Sequence, residues 1–258
     1  MNHLPLHGTR TLVMVPTYNE YGNLPLILDR LLSSFDSANV LVIDDASPDG
    51  TGELADELAA ADPRISVMHR TGKLGLGSAY IAGFKWGIEQ GYDFLVEMDA
   101  DGSHPPETLP EMVAAMRSTR NGKSPGLVIG SRWMKGGRVV DWPKSREALS
   151  RSANFYARTA LGIAVKDSTA GYRVYRASVL REIDLDTIVS KGYCFQIDMT
   201  LRVIAAGSGV REVPIIFRER QIGESKMSGS IIVEAMTKVT QWGIQRRWRQ
   251  ITGRPASF

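Results

Sequence analysis

Residues 94–107 read FLVEMDADGSHPPE, an apolar run that passes directly into two aspartates one residue apart, a glycine and two prolines. Four to five apolar residues closed by turn formers describe a buried strand that stops at a sheet edge. Side chains alternate along a strand, so Asp99 and Asp101 leave it on the same face. Two carboxylates about 5 Å apart repel by roughly 3 kcal/mol at an effective dielectric near 20. A divalent cation offsets that repulsion, and an all-oxygen site suits magnesium or manganese. A solvated Asp-Gly turn is the alternative for an isolated D-x-D, so the choice depends on what the rest of the chain brings to the same edge.

Upstream, the chain alternates strands and helices. TLVMVP (11–16), NVLVID (39–44) and residues 65–69 read as strands, and residues 126–129 as a fifth strand after 94–98. Helical spacing of apolar residues covers 22–34, 51–61, 78–90 and 107 to about 117. Strands separated by helices of ten or more residues imply right-handed crossovers and a mostly parallel α/β sheet flanked by helices. Ligands of such sheets sit beyond the carboxyl ends of the strands. Three ends carry polar groups: Tyr18, Asn19 and Glu20; Asp44 and Asp45; Asp99 and Asp101. That convergence favours the cation reading over the turn.

Beyond Arg132 the pattern loosens into a basic loop, a helix from about Arg146 to Leu161, and mixed segments to Phe217. No repeat or linker composition interrupts it. The expected organisation is a loosely ordered lead over 1–10, one domain over 11–227, and an amphipathic segment over 228–258.

Composition excludes several classes. A formal charge of +3 over 258 residues is too small to point to nucleic acid. A single cysteine, Cys194, permits no internal disulfide and fits a reducing compartment. No stretch approaches 18 uninterrupted apolar residues, and the N-terminus lacks a secretory pattern, so a cytoplasmic location is expected. Gly75-Leu-Gly77-Ser-Ala-Tyr80 lacks the third glycine of a dinucleotide fingerprint and follows the third strand rather than the first. Gly72-Lys73 lacks the flanks of a P-loop, and the four histidines show no metal spacing.

Six motifs in register carry a family resemblance: VPTYNE (15–20), VIDDASPDGT (42–51), LGLGSAY (74–80), EMDADGSHPPE (97–107), GSR (130–132) and FRERQIGESKM (217–227). Together they resemble the inverting nucleotide-sugar glycosyltransferases of the GT-A type, and within them the dolichol- or polyprenol-phosphate mannose synthases. The resemblance spans roughly residues 11–227. It implies a GT-A, Rossmann-like sheet with a less regular acceptor-binding second half. It also implies metal-dependent transfer of mannose from GDP-mannose to a polyprenyl monophosphate.

The resemblance assigns roles by position. Pro16, Tyr18 and Glu20 line the nucleotide pocket, Asp44 or Asp45 meets base or ribose, and Lys73 faces the donor or is structural. Asp99 and Asp101 hold Mg2+ or Mn2+, and Ser103 stands where a third residue can approach the ion. Arg132, Arg146 and Ser150 match acceptor-phosphate contacts; Arg146 and Ser150 share a helix face. Arg220 and Lys226 match a basic loop over the donor, and residues 168–173 (STAGYR) shape the floor of the site. Arginine suits this task because its planar fork pairs with phosphate oxygens. Asp198, in FQID, sits where relatives of this fold carry a general base. A lipid monophosphate is already anionic near neutral pH, so Asp198 is expected in a supporting role, ordering Arg202 or the acceptor loop.

The final segment interleaves Ile231, Ile232, Met236, Val239, Trp242 and Trp248 with Lys238, Arg246, Arg247 and Arg249. Such a helix can lie on an anionic membrane surface or pack on the domain. Peripheral binding at the cytoplasmic face is expected, with an integral-membrane protein as a candidate partner. UDP-glucose as donor, a glycan hydroxyl as acceptor, and an inactive membrane adaptor are the alternatives.

Overall fold

A computed structural model of the chain describes residues 9–119, 122–190, 192–220 and 229–252, without side chains over 229–235 and 249–252. The lead over 1–8, Lys226, and the side chains of Ile231, Ile232 and Arg249 therefore lie outside the described residues.

β1 (Thr11–Thr17), β2 (Ala38–Asp44), β3 (Ile65–His69) and β4 (Phe94–Glu97) alternate with α1 (Leu24–Ser34), α2 (Thr51–Ala61) and α3 (Leu76–Glu89). All four strands are parallel, with Thr17 paired to Asp44 and Asp44 to His69, so their carboxyl ends share one edge. Every residue of β4 is buried, as its apolar run requires. After a 3-10 turn come α4 (Leu109–Arg117) and β5 (Pro125–Ser131). The α/β, mostly parallel sheet expected from the sequence is what forms.

The second half is more ordered than its sequence pattern. It contains β6 (Arg138–Val140), α5 (Lys144–Leu161), β7 (Arg173–Arg176), α6 (Ala177–Glu182), α7 (Tyr193–Ala205), β8 (Gly209–Pro214), β9 (Ile216–Arg218) and α8 (Gly229–Thr252). The seven-stranded sheet runs β3-β2-β1-β4-β7-β5-β8, and β6 pairs with β9 apart from it. β7 inserts antiparallel between β4 and β5, pairing Glu97 with Arg173. Its four residues are too short to show a period, which is why sequence left the region unassigned.

Helices cover both faces of the sheet, dividing the core into two apolar clusters. One contains Leu12, Leu41, Tyr80, Phe84 and Leu95; the other Val13, Val42, Val96, Leu28 and Met112. α3 approaches the sheet through glycine. A Cβ on Gly87 would lie 2.4 Å from Leu95, and one on Gly83 2.6 Å from the sulfur of Met14. That close approach seats α3 directly against β1 and β4.

Of the C-terminal stripe, Val239 is buried and Trp242 packs on the core, while Met236, Ile244 and Trp248 are exposed. α8 thus packs on the domain along one side and presents apolar groups on another. No helix among the described residues is long and apolar enough to cross a membrane.

Candidate functional site

The residues at the β1 and β2 ends form a tight polar corner. Asp44 accepts from the Thr17 hydroxyl at 2.9 Å, the Ser47 hydroxyl at 2.6 Å and the Ser47 N–H at 3.0 Å. Asp45 accepts from Arg70 at 2.6 Å, and Arg70 also donates to Ser78 at 2.8 Å. Asn19 and Ala46 have φ of 61° and 56°. Left-handed backbone at a non-glycine residue costs on the order of 1 kcal/mol and clusters at functional sites. Glu20 accepts from Asn23 at 2.7 Å, while its own N–H donates to Thr51 at 3.0 Å. The Lys73 ammonium lies 3.9 Å from the centre of the Tyr18 ring, so these two donor-side candidates meet directly.

At the end of β4, Asp99 takes the Tyr80 hydroxyl on Oδ1 at 3.2 Å. Asp101 takes the Ser103 N–H on Oδ1 at 3.0 Å and Arg220 on Oδ2 at 3.0 Å. Burial pushes the Asp99 carboxyl upward, with the neighbouring Asp101 adding to the rise, while His104, Tyr80 and Arg220 act against it. Directly below, Glu97 is fully buried and accepts from Gln196 at 2.8 Å. Burial pushes its carboxyl up to about 8, against the pull of Arg173 and Gln196.

This pair of carboxylates fits a hard divalent cation. The Ser103 hydroxyl is buried beside Asp101 with no hydrogen-bond partner, a polar atom that an ion or its water would satisfy. Arg220 already supplies positive charge to Asp101. No cluster of three or more His, Cys, Asp or Glu among the described residues could hold a metal. Two carboxylates completed by substrate phosphates are a usual magnesium arrangement.

The acceptor-side candidates converge from a different part of the chain. Arg132 directly follows β5, where its Nε and Nη2 make a two-pronged contact with Asp167 at 2.8 and 2.7 Å. Nη2 also donates to Thr169 at 3.0 Å. Asp167 has no exposed surface and Arg132 is 5 % exposed. Arg146, on α5, pairs with Glu219 and stacks 4.0 Å from the Trp142 ring centre. Arg151 stacks 4.2 Å from Trp133, and Arg132 lies 5.4 to 5.6 Å from Trp133, Trp142 and Phe217. Aromatic faces hold guanidinium groups well because the ring quadrupole attracts the cation.

Arg132, Arg146 and Ser150 border one cavity of about 330 Å³. Away from these groups its wall is largely apolar: Leu149, Ala153 and Ala157 from α5, Ile197 from α7, Met236 and Val239 from α8. Asp198 is not part of that wall. It accepts from Ser190 at 2.8 Å and Arg202 at 2.8 Å and is 6 % exposed, tying α7 to the segment before it. The 168–173 stretch is organised by Arg173, wholly buried, which donates to the carbonyls of Ser168, Ala170 and Gln196 and to the Thr200 hydroxyl.

Sequence reasoning reached Arg173 and Gln196 only as parts of STAGYR and FQID, and did not single out Asp167 or Trp142. Asp167 directly precedes STAGYR, so an acid placed before a buried loop was the available signal; the contacts of the others are visible only in three dimensions.

Comparison with known proteins adds five relationships. The description "Glycosyl transferase family 2" matches residues 12–184. An undecaprenyl-phosphate mannosyltransferase of Micrococcus luteus is 56% identical over 245 residues, covering 95% of this chain and 98% of that protein. A polyprenol monophosphomannose synthase of Mycolicibacterium smegmatis is 56% identical over 245 residues, covering 95% and 91%. Among solved structures, glucosyl-3-phosphoglycerate synthase of Mycobacterium tuberculosis, in complex with Mn2+, UDP and phosphoglyceric acid, superposes with a TM-score of 0.61 at 19% identity, covering 97% and 81%. A mannosyltransferase of Pyrobaculum calidifontis in complex with GDP-Man and Mn2+ gives 0.56 at 16%, covering 98% and 77%. At such identities the last two establish the GT-A fold alone.

Proposed function

The chain belongs to glycosyl transferase family 2, and from that premise we propose that it transfers mannose from GDP-mannose to a polyprenyl monophosphate, inverting the anomeric carbon. One observation carries the acceptor assignment: a largely apolar cavity bordered by two arginines. A lipid phosphate needs that combination, cations for the head and an apolar wall for the first isoprene units.

In this reading residues 11–227 are the catalytic domain, and α8 completes the lipid side. Asp99 and Asp101, with Ser103 beside them, would hold Mg2+ or Mn2+. Such an ion neutralises charge developing on the leaving diphosphate. Pro16, Tyr18, Glu20, Lys73 and the Asp44–Asp45 corner take the nucleotide, and Arg220 with Lys226 covers the diphosphate. A phosphate oxygen attacks the sugar's anomeric carbon as the bond to the diphosphate breaks and GDP leaves.

The attacking group is already anionic, so no side chain has to remove a proton. Asp198, committed to Arg202 and Ser190, accords with that economy. The difficulty is anion meeting anion, and Arg132 and Arg146 answer it. Each charged hydrogen bond contributes roughly 1.5–3 kcal/mol. Asp167 holds the Nε–Nη2 edge of Arg132, which leaves Nη1 to turn toward the acceptor. Arg146 must exchange Glu219 for phosphate.

A polyprenyl chain resides in a bilayer, so the cavity mouth has to meet one. Phe155, Ile244 and Trp248 are exposed on α5 and α8, the helices that wall the cavity. They support peripheral attachment to a membrane surface; the cytoplasmic face, with help from an integral-membrane protein, is part of the proposal. Incubating the protein with membranes and labelled GDP-mannose or UDP-glucose tests the donor: label should enter the organic phase from GDP-mannose. Entry from UDP-glucose alone would replace the reading.

A further inference from the structure

We propose that Tyr80 and His104 are positioning residues that hold the Asp99 carboxylate in the orientation a divalent cation requires. This rests on the metal-dependent reading above and adds two side chains to it.

Tyr80 comes from α3, has no exposed surface, and donates to Asp99 Oδ1 at 3.2 Å. Its phenolic O–H is the donor in that contact. His104 is 2 % exposed, and its Nδ1 accepts the backbone N–H of Asp99 at 3.0 Å. A ring nitrogen that accepts carries no proton, so the proton of the neutral ring sits on Nε2. That nitrogen lies 3.8 Å from Asp99 Oδ2.

The ring has little freedom to leave. It stacks on Tyr172 with centroids 5.1 Å apart and 11° between planes, and meets Phe217 edge-on at 5.6 Å. Gly171 closes a further side: a Cβ there would stand 3.4 Å from the imidazole. The two carboxylate oxygens of Asp99 therefore face an O–H on one hand and an N–H on the other. The Tyr80 hydrogen bond to Oδ1 and the His104 hydrogen bond to the Asp99 backbone restrict the carboxylate before any ion arrives, with Nε2 close to Oδ2 but beyond hydrogen-bond distance. Partners of this kind orient metal ligands, and their loss commonly costs ten- to a hundredfold in metal affinity. Both residues act through Asp99.

The test measures Mn2+ affinity by electron paramagnetic resonance of the free ion, with GDP present, alongside thermal melting. Wild type should bind and Asp99→Asn should not. Tyr80→Phe, which removes only the hydroxyl, and His104→Asn, which keeps an acceptor for the backbone N–H but no N–H toward Oδ2, should each weaken binding about tenfold. His104→Gln should bind more tightly than His104→Asn, because its amide N–H reaches toward the place of Nε2. KM for polyprenyl phosphate should stay at the wild-type value in all three. Wild-type Mn2+ affinity in both Tyr80→Phe and His104→Asn, with Asp99→Asn inactive in binding, overturns the positioning role alone. Should the His104 variants fail to fold, Tyr80→Phe decides by itself. Equal binding by wild type and Asp99→Asn overturns the metal reading and the positioning role together.

Discussion

Arg220 reaches Asp101 at 3.0 Å, and the residue before it in the chain, Glu219, holds Arg146. One dipeptide thus places a cation on the carboxylate proposed for the donor side and an anion on the arginine proposed for the acceptor side. Replacing the anion should be easier if it carries no charge. Glu219→Gln is expected to lower KM for polyprenyl phosphate about two- to fivefold, the equivalent of a half-exposed ion pair worth about 0.5–1 kcal/mol. Steady-state kinetics at saturating donor checks this; a raised KM would show that Glu219 assists the acceptor instead.

The Asp198 contacts lead to a second expectation. A side chain that only ties α7 to its neighbours should affect the reaction mildly. Asp198→Asn should lose less than about tenfold in kcat, whereas removing a general base commonly costs about a hundredfold or more. Loss on that larger scale would point to a hydroxyl acceptor.

Asp167 and Arg132 form a buried pair, and breaking one side leaves an uncompensated charge. Asp167→Ala should cost about 3–5 kcal/mol in urea unfolding. The double variant Asp167→Ala, Arg132→Met should recover part of that stability while remaining inactive. Recovered activity would remove Arg132 from the acceptor's contacts.

Glu97 gives stability a pH dependence of known sign. Its carboxyl rises from 4.5 to about 8 on folding. Between those values the unfolded chain has released the proton and the native one still binds it, so stability falls as pH increases through that window and levels off above it. Glu97→Gln cannot ionise. Measured in EDTA by denaturant unfolding, the stability difference between variant and wild type should grow from pH 5 to pH 8. A constant difference would contradict the raised value.

The cavity wall can be filled without touching an arginine. Ala153→Phe should raise KM for polyprenyl phosphate while leaving GDP binding unchanged by calorimetry. An unaltered lipid KM would place the isoprene units elsewhere.

Much of the donor half was legible in the amino-acid order because each strand ends in the polar residues it delivers: Asp44, Asp99 and Asp101 stand where periodicity places them. The acceptor half was legible only as motifs. Arg132 and Arg146 could be nominated, but nothing local reveals that Asp167 grips one and Glu219 the other, because those partners lie 35 and 73 residues away. His104 and Tyr80 stand inside the EMDADGSHPPE and LGLGSAY motifs, where sequence gives neither a role of its own. Both meet Asp99, a relation that depends on how α3 and the turn after β4 fold over the strand.

The lateness of α8 in the chain matters for synthesis. Strands that build the nucleotide corner emerge first and can close around their own core, since domains assemble from the amino end as they are made. Met236 and Val239, which finish the isoprenoid side, leave the ribosome only after Arg132 and Arg146 have been in place for some time. A chain truncated before α8 would keep the carboxylates at the strand ends and lose the Met236 and Val239 wall of the cavity.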